Sequence, residues 1–215
     1  QVVSLEAVGV ADLATGRKMK TDDLFWIASM TKPMTAVAIL MLQDEGRLAV
    51  DDPVEKYLPE FKNQAMITER SANGVVLTKP PRTIRIRDLL SHSSGLNRTD
   101  LAMITGKLNR AELIQVAAQA KPTGKLREKF QYQNIMYAAA GEIVAQAQKT
   151  PWEKFVPERI FKPLGMTNST MSMKQMQKVK DYSFGYDYNF DTKVTEKRPF
   201  REIDEVAPAG SINSS

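Results

Sequence analysis

Residues 25–32 read FWIASMTK, and within them a serine and a lysine stand three positions apart, at Ser29 and Lys32. The preceding residues are β-branched or aromatic, whereas from Ser29 to Glu45 apolar residues occupy nearly every face of a predicted helix that ends at Gly46. Residues three apart lie on the same face of a helix. The pattern therefore predicts a buried helix with Ser29 at its start and Lys32 within reach of the serine hydroxyl.

This S-x-x-K spacing suits nucleophilic catalysis. Serine is a poor nucleophile until a base takes its proton, and a lysine held in a dry site has a pKa low enough to serve as that base. A nucleophile at a helix start also gains from the N–H groups there, among them that of Ser29, which can stabilise an oxyanion. Taken alone, the same spacing is also typical of a capping serine followed by a solvated lysine.

A second candidate motif is Y-x-N, at Tyr132-Gln133-Asn134, about a hundred residues further along the chain. The phenol of Tyr132 can pass a proton between Ser29 and a leaving group. The amide of Asn134, at the start of a predicted helix, can hold Lys32 or a substrate carbonyl. The alternative is a buried aromatic residue beside a polar helix cap.

The composition excludes several other classes of site. The 215 residues include no cysteine, which rules out disulfides, thiolate metal ligands and a cysteine nucleophile. With His92 the single histidine, zinc hydrolases and histidine-based triads are disfavoured, and we expect no metal site. The net charge is +5, but 30 basic and 25 acidic residues are interleaved, which argues against nucleic-acid binding. No apolar run is long enough to span a membrane.

Periodicity predicts the remaining elements. Apolar residues at three- and four-residue spacing predict helices at 111–120, 134–148 and 152–161. Two strands are predicted at 2–11 and 24–28, joined around a turn at 14–17. A short strand is predicted to begin at 83 and to lead into a helix that ends at 90. A further strand is predicted at 182–190, where aromatic residues alternate, and a turn at 191–193 follows it. Asn73-Gly74 predicts another turn, and the serine pair at the C-terminus is typical of a helix cap.

Further segments accompany the two motifs, in a fixed order. They read GRL at 46–48 with DDP at 51–53, LLSHSSGL at 89–96, FQYQN at 130–134, PLGMT at 163–167 and PAG at 208–210. Together with residues 25–32 they resemble, in family order, the β-lactamase-related serine hydrolases, which include class C β-lactamases, DD-peptidases and esterases of the penicillin-recognising fold. The resemblance extends over almost the whole chain.

The resemblance implies an α/β (α+β) fold of the β-lactamase/transpeptidase type, with an antiparallel sheet flanked by helices and an inserted, mainly helical lobe. Residues 1–50 and 205–215 would belong to the α/β lobe and 51–204 to the inserted one. It also implies an acyl-enzyme on Ser29, activated by Lys32 and Tyr132 and released by water without a cofactor. His92 would fix a loop rather than act as a base, and the serines after it lack the G-x-S-x-G elbow.

One family motif is not found in residues 1–215: a Lys or His, a small residue and Gly, on a strand beside the nucleophile. We expect it beyond Ser215, in a C-terminal remainder of the same protein that completes the sheet and supplies a second oxyanion donor. Loss of one such donor typically lowers the rate about 10²- to 10³-fold. The 215-residue chain alone is therefore expected to be a poor catalyst.

The expected reaction is hydrolysis of an ester or amide. Short-chain esters, β-lactams and D-Ala-D-Ala peptides are all candidate substrates because one acyl-transfer apparatus serves them, and esters are favoured. One alternative is a penicillin-binding sensor that is acylated at Ser29 without turnover, and another is a structural module in which Ser29 and Lys32 only cap a helix. A periplasmic or secreted location is favoured, because family members that act on cell-wall peptides or antibiotics work outside the cytoplasm.

Overall fold

A computed structural model describes residues 2–215, in which eight helices pack together with four pairs of short antiparallel strands. The helices are α1 Thr31–Asp44, α2 Ile86–Leu90, α3 Leu101–Ile104, α4 Arg110–Gln119, α5 Asn134–Gln148, α6 Trp152–Val156, α7 Met173–Met176 and α8 Ala207–Gly210. The strands are β1 Val10–Asp12, β2 Arg17–Lys18, β3 Phe25–Trp26, β4 Met66–Ser71, β5 Gly74–Thr78, β6 Tyr186–Asn189, β7 Val194–Lys197 and β8 Asn213–Ser214.

Each strand pair is antiparallel, in the order β1–β2, β3–β8, β4–β5 and β6–β7. Three pairs join neighbours in sequence. The exception is β3–β8, in which Phe25 lies opposite Ser214 and Trp26 opposite Asn213. This pairing brings distant parts of the chain together directly before α1. The predicted mixed α/β class with antiparallel strands is confirmed, whereas the division into residues 1–50 with 205–215 and 51–204 stays a prediction.

The core lies between α1, α5 and α8. Helix α1 buries Ala38, Ile39 and Leu42, and α5 buries an almost continuous run from Ile135 to Val144. The run contains three alanines and Gly141, so the neighbouring chain can approach closely. An ideal Cβ placed on Gly141 would lie 2.2 Å from Cγ of Pro208 in α8. The absence of a side chain at Gly141 therefore sets how near α8 can come to α5.

The helix predictions largely agree with the structure. Helix α5 has the predicted bounds, and α1 begins two residues after Ser29 because Ala28–Met30 form a 3₁₀ turn. Pro33 lies in the first turn of α1, where its missing N–H costs no intrahelical hydrogen bond. The predicted helix at 152–161 is α6 followed by a π-helical turn at Pro157–Phe161.

The strand predictions needed correction where pairing is long-range. The first strand is Val10–Asp12 rather than 2–11, and its hairpin partner is Arg17–Lys18, because residues 24–28 supply β3, which pairs with β8. The serine pair predicted as a helix cap lies at β8 instead. Of 182–190, only Tyr186–Asn189 forms a strand, since Tyr182 and Phe184 pack against Phe200.

The Asn73-Gly74 turn connects β4 to β5 as predicted, and 191–193 connects β6 to β7. Of the stretch from 83 to 90, only Ile86–Leu90 is regular, because Arg85 makes just one isolated bridge, with Pro53. Among residues 2–215 no helix combines the length and the apolar character that crossing a bilayer requires.

The contact between α5 and α8 gives a stability prediction. Alanine in place of a helical glycine usually stabilises a protein by about 0.5–1 kcal/mol. Gly141→Ala should do the opposite and lower the free energy of unfolding by about 1–3 kcal/mol, because the added methyl group overlaps Pro208. Urea denaturation measures the difference. Gln146→Ala, on the exposed side of the same helix, should change the value by less than about 0.5 kcal/mol, and a stabilised Gly141→Ala variant would contradict the prediction.

Candidate active site

Ser29 is exposed at the start of α1, on the 3₁₀ turn Ala28–Met30. The residue before it, Ala28, has φ +47°, which is a conformation that residues with a side chain rarely adopt. The turn is fixed from both sides, since the N–H of Ile27 donates to the carbonyl of Ile212 and the N–H of Met30 donates to that of Ile27. The local backbone therefore presents the hydroxyl of Ser29 to the surface.

Lys32 lies one turn further along and is buried, with 5% of its surface exposed. Its Nζ donates to Oγ of Ser29 at 3.1 Å, to Oδ1 of Asn134 at 2.8 Å and to the carbonyl of Ala209 at 2.7 Å. An ammonium group has three donors, so these contacts satisfy all of them. Lys32 is thus held by the turn before α1, by α5 and by α8.

Burial lowers the pKa of the Lys32 amine from its ordinary value, against the opposing effects of the Tyr132 hydroxyl and the Asp100 carboxylate. Low-dielectric surroundings disfavour the charged form of an amine. This is the direction that a general base at neutral pH requires, and it agrees with the expectation from the sequence.

Tyr132 completes the contacts of the serine. Its Oη lies 2.5 Å from Oγ of Ser29, and Nζ of Lys32 lies 4.7 Å from the centre of the phenol ring. The hydroxyls of Ser29 and Tyr132 and the amine of Lys32 therefore form a connected path along which a proton can move. The structure brings together all four predicted residues, Ser29, Lys32, Tyr132 and Asn134.

His92 supports the segment that carries Tyr132. It has φ +54°, and its Nδ1 accepts from the N–H of Gln133 while its carbonyl accepts from that of Gln131. Its ring centre lies 4.6 Å from that of Tyr132. Burial, and then the charge of Lys32, lower the pKa of His92, which agrees with a neutral ring that accepts at Nδ1. These contacts match the loop-fixing role expected from the sequence.

Asp100 is a site residue that sequence reasoning missed. Its carboxylate accepts from the backbone N–H of Asn134 at 3.0 Å, from Nδ2 of the same residue at 3.0 Å and from Nε of Arg98 at 3.1 Å. One signal was available in the sequence. Gln133, at the cap position of α5, is a poor capping residue and makes no such hydrogen bond, so an acceptor from elsewhere was needed.

Helix α8 was also missed as part of the site. Besides the Ala209 carbonyl on Lys32, the carbonyl of Pro208 accepts from Oγ1 of Thr35 at 2.7 Å, and Oγ1 of Thr31 accepts from the N–H of Ile212 at 3.1 Å. These hydrogen bonds hold α8 and Ile212, which follows it by two residues, against α1 on both sides of the lysine. Backbone carbonyls carry no sequence signal, which is why the resemblance at PAG, residues 208–210, indicated position but not role.

A cleft of about 250 Å³ opens above Ser29. Its lining is mainly apolar, and Arg201 is its one charged side chain; the other lining residues are Trp26, Ala28, Ser29, Met103, Asn134, Ile203, Val206, Ala209 and Gly210. Such a cleft suits a small acyl group whose carbonyl meets the serine hydroxyl. In the described part of the chain, acidic residues and His92 form no group of three or more that would suit a metal ion.

Comparison with known proteins finds relatives of this chain by sequence and by fold. Protein flp of Staphylococcus aureus is 33% identical over 196 residues, which are 89% of this chain and 36% of that protein. The octameric penicillin-binding protein homologue from Pyrococcus abyssi is 28% identical, with a TM-score of 0.75 over 96% of this chain and 45% of that one. A D-stereospecific amidohydrolase from Streptomyces sp. is 26% identical, with a TM-score of 0.71 over 92% of this chain and 59% of that one.

The chain spans less than half the length of the curated relatives it matches. The family model described as Beta-lactamase nevertheless matches all of residues 1–215. Among the solved structures with this fold, the Streptomyces protein is by name an amidohydrolase. Because the model match covers the whole sequence, the chain belongs to the beta-lactamase family.

Proposed function

We propose that this chain carries the nucleophilic centre of a serine hydrolase that cleaves an ester or amide through an acyl-enzyme on Ser29. The observation that supports this most directly is the contact of the Ser29 hydroxyl with both Tyr132, at 2.5 Å, and Lys32, at 3.1 Å. A serine that only capped α1 would not need a buried amine beside it. The family and its amidohydrolase member agree with the same reaction class.

In the proposed acylation step, Oγ of Ser29 attacks the substrate carbonyl and its proton passes to the neutral amine of Lys32, directly or through Tyr132. Tyr132 then donates a proton to the leaving group as the carbon–leaving-group bond breaks. Water attacks the resulting ester on Ser29, loses a proton to the same pair of residues and releases the acid. The serine recovers its proton, so the cycle needs no cofactor.

The cleft supports a small substrate with an apolar acyl group, for which a short-chain ester is our first candidate. β-Lactams and D-Ala-D-Ala peptides present the same reacting carbonyl and remain the other candidates. We propose further that a C-terminal remainder of the protein supplies the third family motif, since the relatives are more than twice as long as the matched region. The penicillin-binding sensor is distinguished by the experiment that follows.

Covalent labelling tests whether Ser29 is the nucleophile. A fluorophosphonate and p-nitrophenyl butyrate should each add one acyl or phosphonyl group to the intact chain, and Ser29→Ala should lower the labelling rate at least about 10³-fold because the nucleophile is gone. Intact-mass spectrometry measures both. Ser93→Ala removes a hydroxyl next to Ser94 without touching the site and should label like the wild type.

The same series separates the alternatives. Release of p-nitrophenol beyond one equivalent supports the hydrolase, whereas a stable penicilloyl adduct on Ser29 without turnover favours the sensor. If no reagent labels the folded protein at Ser29, the catalytic proposal is wrong and the structural module is supported instead.

The pH dependence of acylation tests whether Lys32 is the base. The neutral amine of Lys32 is the form that accepts a proton, and burial lowers the pKa of this amine. The acylation rate should therefore increase as pH rises through that lowered pKa and level off above it, earlier than for an ordinary lysine. Lys32→Arg keeps a charge that cannot be lost, so the variant should be about 10²- to 10⁴-fold slower at every pH. A pH-independent rate in the wild type would be inconsistent with Lys32 as the base.

A further inference from the structure

Asp100 lies beneath the catalytic candidates without touching the serine, and its carboxylate is directed at Asn134. We propose that Asp100 is a positioning residue for acyl transfer, which orients the amide of Asn134 and through it holds Lys32 against Ser29. This inference rests on the function proposed above. Asp100 would thus act on the Ser29–Lys32 pair indirectly, through the side chain of Asn134.

Hydrogen-bond chemistry decides the orientation of this amide. A carboxylate only accepts, so the group of Asn134 that lies 3.0 Å from Asp100 must be the NH₂. In the neutral form that accepts the proton of Ser29, the amine of Lys32 still donates two N–H groups, one to the carbonyl of Ala209 at 2.7 Å and one to Asn134 at 2.8 Å, so the group of Asn134 that faces Nζ must be the carbonyl oxygen. Reversing the amide would place donor against donor at the lysine and acceptor against acceptor at the carboxylate. Asp100 therefore permits a single orientation, and that orientation presents an acceptor to the lysine.

The position of Asp100 makes it effective in this role. Asp100 is 9% exposed. The backbone N–H groups of Asn134 and Ile135, at the start of α5, donate to its carboxylate and keep it in place. Arg98 donates to it from the solvent side. Buried hydrogen bonds of this kind are costly to leave unmade, so the amide has little freedom to turn away from Lys32.

The charge of Asp100 also acts on the amine. Two phenols face Lys32, those of Tyr132 and Tyr137, with ring centres 4.7 and 5.6 Å from Nζ. The neutral ring of His92 and the carboxylate of Asp100 also lie near the amine. The Asp100 carboxylate is itself paired with Arg98. Among these, Tyr132 and then Asp100 raise the pKa of the lysine and so oppose the effect of burial. Removing the charge of Asp100 should move the pH dependence of acylation to lower pH.

Asp100→Asn separates positioning from simple helix capping. Asparagine caps a helix as well as aspartate does, so a residue that only capped α5 would tolerate the change. If the new amide keeps its oxygen on the backbone N–H of Asn134, as a cap requires, its NH₂ faces the NH₂ of the Asn134 side chain. The limiting acylation rate should then fall about 10- to 100-fold, as expected for a misplaced reacting group. The rise of the rate with pH should also begin at lower pH. Intact-mass acylation by p-nitrophenyl butyrate across pH measures both effects.

The exchanged pair, Asp100→Asn with Asn134→Asp, provides a second test. The carboxylate introduced at position 134 accepts from both Lys32 and the new amide at position 100, so the order of donors and acceptors is restored. The limiting rate should recover at least about tenfold over Asp100→Asn. Because a carboxylate now touches the amine, the pH dependence should move above that of the wild type. If Asp100→Asn does not fold, the double variant alone tests the proposal. A folded double variant whose acylation rate is no higher than that of Lys32→Arg overturns it.

Asn109→Asp is the matched control, since Asn109 caps α4 through its side chain and lies outside the site. It should leave both the rate and its pH dependence unchanged. An Asp100→Asn variant that keeps the wild-type rate and pH profile, or that loses only thermal stability, shows a capping role and overturns the proposal. Failure of the wild type to acylate at Ser29 would instead count against the proposed function itself.

Discussion

The burial of a single amine organises this structure. Lys32 is almost wholly removed from water, and an unpaired ammonium in such a place would be strongly unfavourable. Its three hydrogen bonds offset that cost, and they run to three separate parts of the chain, at Ser29, Asn134 and Ala209. Because each partner must arrive at a fixed distance, the packing of α1, α5 and α8 is tied to the charge state of one side chain. The same burial that threatens stability lowers the pKa of the amine and suits it to be a base.

The sequence predicted those parts of the site that depend on side-chain type and spacing. Ser29 and Lys32 follow from helix geometry, and Tyr132 with Asn134 follows from a motif, so all four could be found before their contacts were known. The identity of Asp100 and of the Ala209 carbonyl could not be found in this way, because Asp100 reaches Asn134 from a distant loop and Ala209 reaches Lys32 through the docking of α8. An acidic residue in a loop is usually solvated, and a backbone carbonyl is present at every position. Their roles become visible only when three-dimensional packing specifies their neighbours.

The same distinction applies to the fold. Helix α5 and the turns of the hairpins β4–β5 and β6–β7 depend on local periodicity and turn residues, and the sequence located them. Strand β3 was assigned to the wrong partner, since its pairing with β8 spans most of the chain and local propensity contains no information about it. The special backbone of Ala28 was likewise beyond prediction. An alanine with positive φ persists only where surrounding contacts determine it, as those at Ile27 and Met30 do here.

The separation along the sequence of the Lys32 contacts has a consequence for how the protein is made. Ser29 leaves the ribosome well before Ala209, which completes the coordination of Lys32 and is 177 positions beyond that lysine. Contacts between residues so far apart in sequence form late in folding, because the entropic cost of closing a long loop comes before the favourable free energy of the contact. Until then the serine remains next to a solvated, protonated lysine that cannot take its proton. On the proposed mechanism, the ordering of α8 is the step that completes the burial of this amine, so the reactivity of Ser29 would arise together with the docking of that helix onto the core.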